Sequence, residues 1–176
     1  MTQCRRPKSM PITMENAVKI NGLFEPELVE IIDGFPSKAE CLEYLCSILA
    51  KSGCLNSPKR FLDAVNGRED IMSTGIGKGV AIPHARDLSV SCLKAAVCLL
   101  RNPLDFQSVD DLPVHLVFMI AVPQNSGKEY MKVLRAISEH LREDANRQAL
   151  INTNNPAELH HEVLKIQDLI SGSLDA

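Results

Sequence analysis

The chain has 176 residues, 45% hydrophobic and 23% charged, the balance of one ordinary globular domain large enough to bury a core. A net charge of −3 gives no general pull toward nucleic acid or anionic lipid, the one basic cluster, Arg5-Arg6-Pro7-Lys8, reads as a solvated tail, and no Trp, two Tyr and five Phe argue against an aromatic platform for single strands. The longest apolar run, Leu116 to Val122, is about a third of a membrane-spanning helix, so no direct membrane insertion is expected.

Residues 1–23 carry weak periodicity and two prolines, and predict a flexible N-terminal arm ahead of a single domain over 24–176. Leu28-Val29-Glu30-Ile31-Ile32 predicts a first strand, closed by Asp33-Gly34. Ser37-Lys38-Ala39-Glu40 forms a capping box, opening a helix with Cys41, Leu42, Leu45, Ile48 and Leu49 on one face and a stop at Gly53. Ser57-Pro58 opens a second helix with Phe61, Leu62 and Val65 inward. Gly79 to Pro83, Leu93 to Leu100 and Val114 to Val122 predict strands, and their near-continuous apolarity predicts cover on both faces. Three helices close the chain. The first starts at Ser126-Gly127 with Met131, Leu134, Ile137 and Leu141 at helical spacing, and a short one spans Asn146 to Ile151. The last is capped by Asn155-Pro156-Ala157-Glu158 and turns Leu159, Val163, Ile166 and Ile170 inward. The order β-α-α-β-β-β-α-α-α predicts an α+β fold, one sheet with helices on both sides in three layers, α/β/α.

The six cysteines, Cys4, Cys41, Cys46, Cys54, Cys92 and Cys98, form no C-x-x-C pair. They read as reduced, buried thiols of a cytoplasmic protein. The glycines Gly75, Gly77 and Gly79 fail as a nucleotide loop. Gly77-Lys78 is followed by Gly79 where a hydroxyl is needed, and a strand follows where a helix is required. His160-His161 lacks a second ligand four residues on, where Lys165 stands. Adjacent helical residues also point about 100° apart, so the pair reads as surface. His140 fits a favourable interaction with its helix dipole, His115 a paired structural role, and Asp110-Asp111 a solvated turn. No metal or cofactor is expected, and no G-x-S-x-G elbow is present.

His84 is what remains. It follows Pro83 at the exit of a predicted strand, and a neutral imidazole near pH 7 accepts a phosphoryl group, shuttles a proton or binds a metal. The run Gly75-Ile76-Gly77-Lys78-Gly79-Val80-Ala81-Ile82-Pro83-His84-Ala85 resembles the phosphorylation-site signature of the type 2 enzyme IIA domains, the fructose/mannitol class of the bacterial sugar phosphotransferase system. The resemblance extends from about Leu28 to about Ile170. It takes in Arg68-Glu69 and the strand closed by Pro123, and Ser73 to Gly77 is most similar to the nitrogen-regulatory members. It implies a mixed sheet between helical layers. It also implies that His84 receives phosphate from a histidine-containing phosphocarrier protein, to pass to an enzyme IIB or to keep as a signal toward a regulated kinase or transporter. Arg68 matches an arginine near the phosphohistidine. Aligning Pro123 and the helix behind it puts Tyr130 where the family usually has a second histidine; a phenol still donates a hydrogen bond to a phosphoryl oxygen.

Phosphoryl transfer asks for an aligned nucleophile and positive groups around the equatorial oxygens. On this reading neutral His84 attacks in line and the fork of Arg68 clamps two oxygens. Backbone amides of the Thr74 to Gly79 turn, Thr74 and Gly75 first, add donors, and so does the helix N-terminus at Ser126-Gly127.

Overall fold

The computed structural model describes Ile20 and residues 22–172. Most of the expected N-terminal arm, with Cys4, lies outside them; Ile20 and Leu23 at its end are buried in the core. A 3-10 turn, Pro26–Leu28, leads into β1 (Val29–Ile32). Leu28 closes that turn through its amide to the Glu25 carbonyl at 2.9 Å, so the strand begins one residue later than its apolar run.

The first helix, α1, spans Lys38–Lys51, and the Ser37 hydroxyl oxygen accepts the Glu40 amide at 3.2 Å. The other half of the expected box differs: the Ser37 hydroxyl donates to the Glu40 carboxylate at 3.4 Å. Helix α2, Pro58–Ile71, begins at the Ser57 cap with proline in its first turn. Both bury the faces their periodicity predicts, with Leu45, Leu49, Phe61 and Val65 fully enclosed.

The sheet differs most from expectation around the glycines. Gly75–Gly77 forms a short strand, β2, antiparallel to β3 (Val80–Ala81), rather than only a turn. The link between them, Gly77-Lys78-Gly79, holds three consecutive positive φ angles of 94°, 55° and 77°, a path open mainly to glycine. The run Gly79 to Pro83 is not one strand either. Proline has no amide to donate, so the ladder breaks at Pro83, and His84 opens a further strand, β4 (His84–Asp87), instead of closing the one before. The Pro83 carbonyl accepts the Ile120 amide at 2.9 Å, which returns the chain to its neighbour.

That neighbour is β6 (Val114–Pro123), antiparallel to the long β5 (Lys94–Leu104). The strand order is β1-β5-β6-β3-β2, with β4 running along β6 beyond β3. β1 is parallel to β5, and β3 and β4 are parallel to β6, so the sheet is mixed. Alternate residues of β6 feed two cores. Leu116, Phe118, Ile120 and Val122 face α3 (Gly127–Arg142), α4 (Asp144–Ile151) and α5 (Pro156–Gly172); Val117, Met119 and Ala121 face α1 and α2. Every one of these is buried, which explains an apolar run without alternation. The three-layer reading holds.

On α3 one inward assignment fails. Met131 is 58% exposed, and the buried positions are Val133, Ala136, Ile137 and Leu141. Met131 lies two residues before Val133, about 200° around the helix. The five described cysteines are free thiols, and four are buried as expected, while Cys92 is only half-buried. Burial pushes Cys41 up to about 12 and Cys46 up to about 11, so both act as small apolar groups.

Candidate functional site

The proline break positions His84. The chain folds back far enough that Nδ1 of His84 lies 2.7 Å from the carbonyl oxygen of Ile82. A carbonyl only accepts, so Nδ1 carries the ring proton and Nε2 keeps a free lone pair. β4 is pinned on one side by its register with β6, His84 opposite Ile120. At its far end Arg60 Nε meets Asp87 Oδ1 at 2.9 Å, tying β4 to α2.

His84 lines a cleft of about 490 Å³ between α2, β4 and the start of α3. Arg68 comes from the last turn of α2, His84 and Arg86 from β4, and Gly127, Tyr130 and Met131 from the first turns of α3. The Tyr130 ring lies against the imidazole, centroids 5.4 Å apart at 38°. Thus His84, Arg68 and Tyr130 come together as expected, from sites far apart in the chain. Helix α3 has no side-chain cap, and Gly127 opens its positive end onto the cleft.

Burial pushes the imidazole of His84 below its ordinary value, and the Arg68 charge pushes the same way; the Ile82 carbonyl and Glu69 oppose them. The ring is therefore neutral at pH 7. Burial raises the Tyr130 phenol, with Arg68 and Arg86 pulling it down, so the hydroxyl keeps its proton and remains a donor.

Arg68 Nη1 donates to the Met72 carbonyl at 2.9 Å, closing the end of its own helix. Behind it, Glu69 is buried and fully engaged. It accepts the Thr74 amide at 3.1 and 3.2 Å, the Thr74 hydroxyl, and the Lys38 ammonium at 2.7 Å. Lys38 in turn lies 4.7 Å above the Phe106 ring centroid and donates to the Phe106 carbonyl at 3.3 Å. This network locks the last turn of α2, and with it the base of Arg68, against β2.

The other expected donors are used inside the fold. The Thr74 amide and hydroxyl go to Glu69, the Gly75 amide to Ser73 Oγ at 3.1 Å, and the Lys78 amide to Asp110 at 2.7 Å. Neither Thr74 nor Gly75 lines the cleft. Asp110, expected in a solvated turn, is held below the usual carboxylate range by the Lys78 amide first.

Of the remaining histidines, His115 pairs through Nδ1 with the Leu100 carbonyl at 3.2 Å, as expected. His140 stands in the last turn of α3, where the dipole reading puts it, and burial, then Lys165, lowers its pKa. His160 does not match its surface reading. Its Nε2 meets the Phe24 carbonyl at 2.9 Å, joining α5 to the segment before β1. His161 is exposed. Among the described residues, no three His, Cys, Asp or Glu side chains gather as metal ligands, and no helix is long and apolar enough to cross a membrane. The cleft also holds Arg86, which carries no mark in the motif.

Known proteins share this fold. Residues 22–166 match the family described as phosphoenolpyruvate-dependent sugar phosphotransferase system, EIIA 2. The chain is 32% identical over 125 residues to the fructose-specific EIIA component of Haloferax volcanii, covering 71% of this chain and 81% of that one. It is 30% identical over 132 residues to the nitrogen regulatory protein of Pseudomonas aeruginosa, covering 75% and 86%. It also matches the fructose-specific EIIABC component of Bacillus subtilis, 33% identical over 134 residues, 76% of this chain, but it spans only 21% of that protein's length. The crystal structure of nitrogen regulatory protein IIA-Ntr from Neisseria meningitidis superposes with a TM-score of 0.71 at 28% identity, covering 78% of this chain and 94% of that one. The fold, the cleft and these matches together make the chain a member of the type 2 EIIA family, the phosphocarrier components of the phosphoenolpyruvate-dependent sugar phosphotransferase system.

Proposed function

We propose that Nε2 of His84 accepts a phosphoryl group from the phosphohistidine of a histidine-containing phosphocarrier protein, and that this chain holds it as a regulatory signal in the cytoplasm. The observation that carries the chemistry is the Nδ1 hydrogen bond to Ile82 at 2.7 Å, which leaves the Nε2 lone pair free on a residue that lines a cleft together with Arg68 and Arg86. In the transfer, the bond from phosphorus to the donor imidazole breaks as the bond to Nε2 forms. The donor ring keeps the electron pair of the old bond and leaves neutral with its own ring proton. His84 keeps the Nδ1 proton, and the cationic phosphoimidazole strengthens the bond to Ile82. One nitrogen–phosphorus bond replaces another, so no metal is needed to drive the step.

The regulatory reading is supported by the Neisseria IIA-Ntr likeness and by the run Ser73-Thr74-Gly75-Ile76-Gly77. Free thiols at the five described cysteines support a reducing compartment. A second reading, the IIA component of a fructose/mannitol-type uptake system passing phosphate to an enzyme IIB, is supported by the Haloferax relative. Incubation with phosphoenolpyruvate, enzyme I and the carrier protein is expected to give an acid-labile, base-stable label that His84→Ala abolishes. A His84→Ala protein that labels fully refutes the phosphocarrier reading. Efficient discharge of the label onto a fructose-class enzyme IIB favours uptake; retention favours regulation.

A further inference from the structure

Arg86 lines the cleft without a role in the motif. It stands two residues after His84 on β4, so both side chains leave the same face of the strand. Its Nη1 lies over the start of α3: a Cβ on Gly127 would stand 2.9 Å from it. Among the described residues no carboxylate pairs with it. The adjacent Asp87 is held by Arg60 at 2.9 Å, and Glu69 is held by Lys38 at 2.7 Å. Across the cleft, Arg68 bonds only to a carbonyl, that of Met72.

Two guanidinium groups facing one cleft, one of them over the positive end of a helix, repel when the site is empty. Among the described residues no carboxylate forms an ion pair with either arginine, and a dianionic group between them offsets the repulsion. The two cations differ in reach: Arg68 acts on both the imidazole and the phenol, whereas Arg86 acts on the phenol. Tyr130 therefore marks where their fields meet, beside the nucleophilic ring.

Building on the reading of His84 as the phosphoryl acceptor, we propose that Arg86 is a second catalytic arginine. Its guanidinium contacts the phosphoryl oxygens from the α3 side, opposite Arg68, with the Tyr130 hydroxyl donating between the two. No bond is made to Arg86 and no proton leaves it. It contributes hydrogen bonds and a fixed charge that does not titrate. The bond exchange at phosphorus is the one given above.

The test uses the full chain, labelled through phosphoenolpyruvate, enzyme I and the carrier protein, with wild type, Arg86→Ala, Arg86→Lys and His84→Ala compared. Arg86→Ala is expected to slow phosphate acceptance about 10- to 100-fold, the range for losing a charged hydrogen-bonding partner. Arg86→Lys is expected to recover part of the rate, since charge returns without the fork. The unfolding midpoint stays unchanged, because Arg86 is exposed. Wild-type rates in Arg86→Ala, or an Arg86→Lys no faster than Arg86→Ala, overturn the proposal. Full labelling of His84→Ala instead overturns the reading beneath it.

Discussion

His84 Nδ1 and the carbonyl oxygen of Ile82 stand 2.7 Å apart, donor and acceptor only two residues distant along the chain. The contact selects one ring tautomer before any phosphate arrives. Phosphorylation is therefore expected on Nε2, with Nδ1 still protonated. Proton–nitrogen correlation spectra of the phosphorylated protein separate the two isomers, and a label on Nδ1 contradicts the assignment.

The acid limb of the reaction follows from the lowered imidazole. Burial first, then Arg68, moves His84 below its ordinary 6.5, against Ile82 and Glu69. The neutral nucleophile thus persists below that value. Phosphate acceptance is expected to stay level down to about pH 6.5 and to fall only at lower pH. Stability has the same sign. Between the lowered folded value and 6.5 the unfolded chain binds more protons, so this contribution is full above 6.5 and is lost as pH falls through the window. His140, lowered by burial and Lys165, adds to the same slope. Urea midpoints at descending pH should drop less steeply in His84→Gln than in wild type.

Tyr130→Phe separates ring from hydroxyl. The ring stays against the imidazole at 5.4 Å between centroids, while the donor is lost. Acceptance should slow by about 3- to 10-fold, with stability within about 0.5 kcal/mol of wild type. An unchanged rate would leave the hydroxyl without a part in the transfer.

The Glu69 network should matter to both stability and labelling. Glu69→Ala strands the Lys38 ammonium, 18% exposed beside a carboxylate that is 4% exposed. Breaking such a pair costs about 3 kcal/mol. Thr74→Val, which removes one hydroxyl from the same carboxylate, should cost about 1 kcal/mol. Chemical denaturation measures both. Slower labelling of folded Glu69→Ala would follow from a less firmly held Arg68.

Two glycines predict opposite signs. A Cβ at Gly75 would stand 2.4 Å from Ser108 Oγ and 2.9 Å from its Cα, so backbone must move, at about 1–3 kcal/mol. At Gly67, inside α2, a Cβ meets nothing within 4 Å. Gly67→Ala is expected to stabilise by about 0.5–1 kcal/mol. Urea midpoints of the two variants should move in opposite directions.

Local signals were readable in the chain, and contacts across it were not. The Ser37 and Ser57 caps, the inward faces of α1, α2 and α5, and the doubly covered β6 all follow from neighbours within a few residues. His84 stood out as the candidate nucleophile because an unusual string of residues surrounds it. The strand character of Gly75–Gly77 was hidden, because glycine lacks the side chains that make a period visible. Pro83 was read as an end when it is a gap, since the partner that resumes pairing, Ile120, is distant in sequence. His160 looked like surface because its acceptor, Phe24, is 136 residues away. Arg86 was passed over because an exposed arginine in a strand has no local mark of its purpose.

The pairing of His84 with Ile120 also sets how the acceptor moves. Ile120 lies between β4 on one side and Ala95 of β5 on the other, sealed from solvent. Amides in such a strand exchange with solvent only when the whole molecule opens. His84, the proposed phosphate acceptor, is thus carried on the immediate partner of a buried central strand, not on a loop. In increasing denaturant, capacity to be phosphorylated should persist to the global transition and vanish with it.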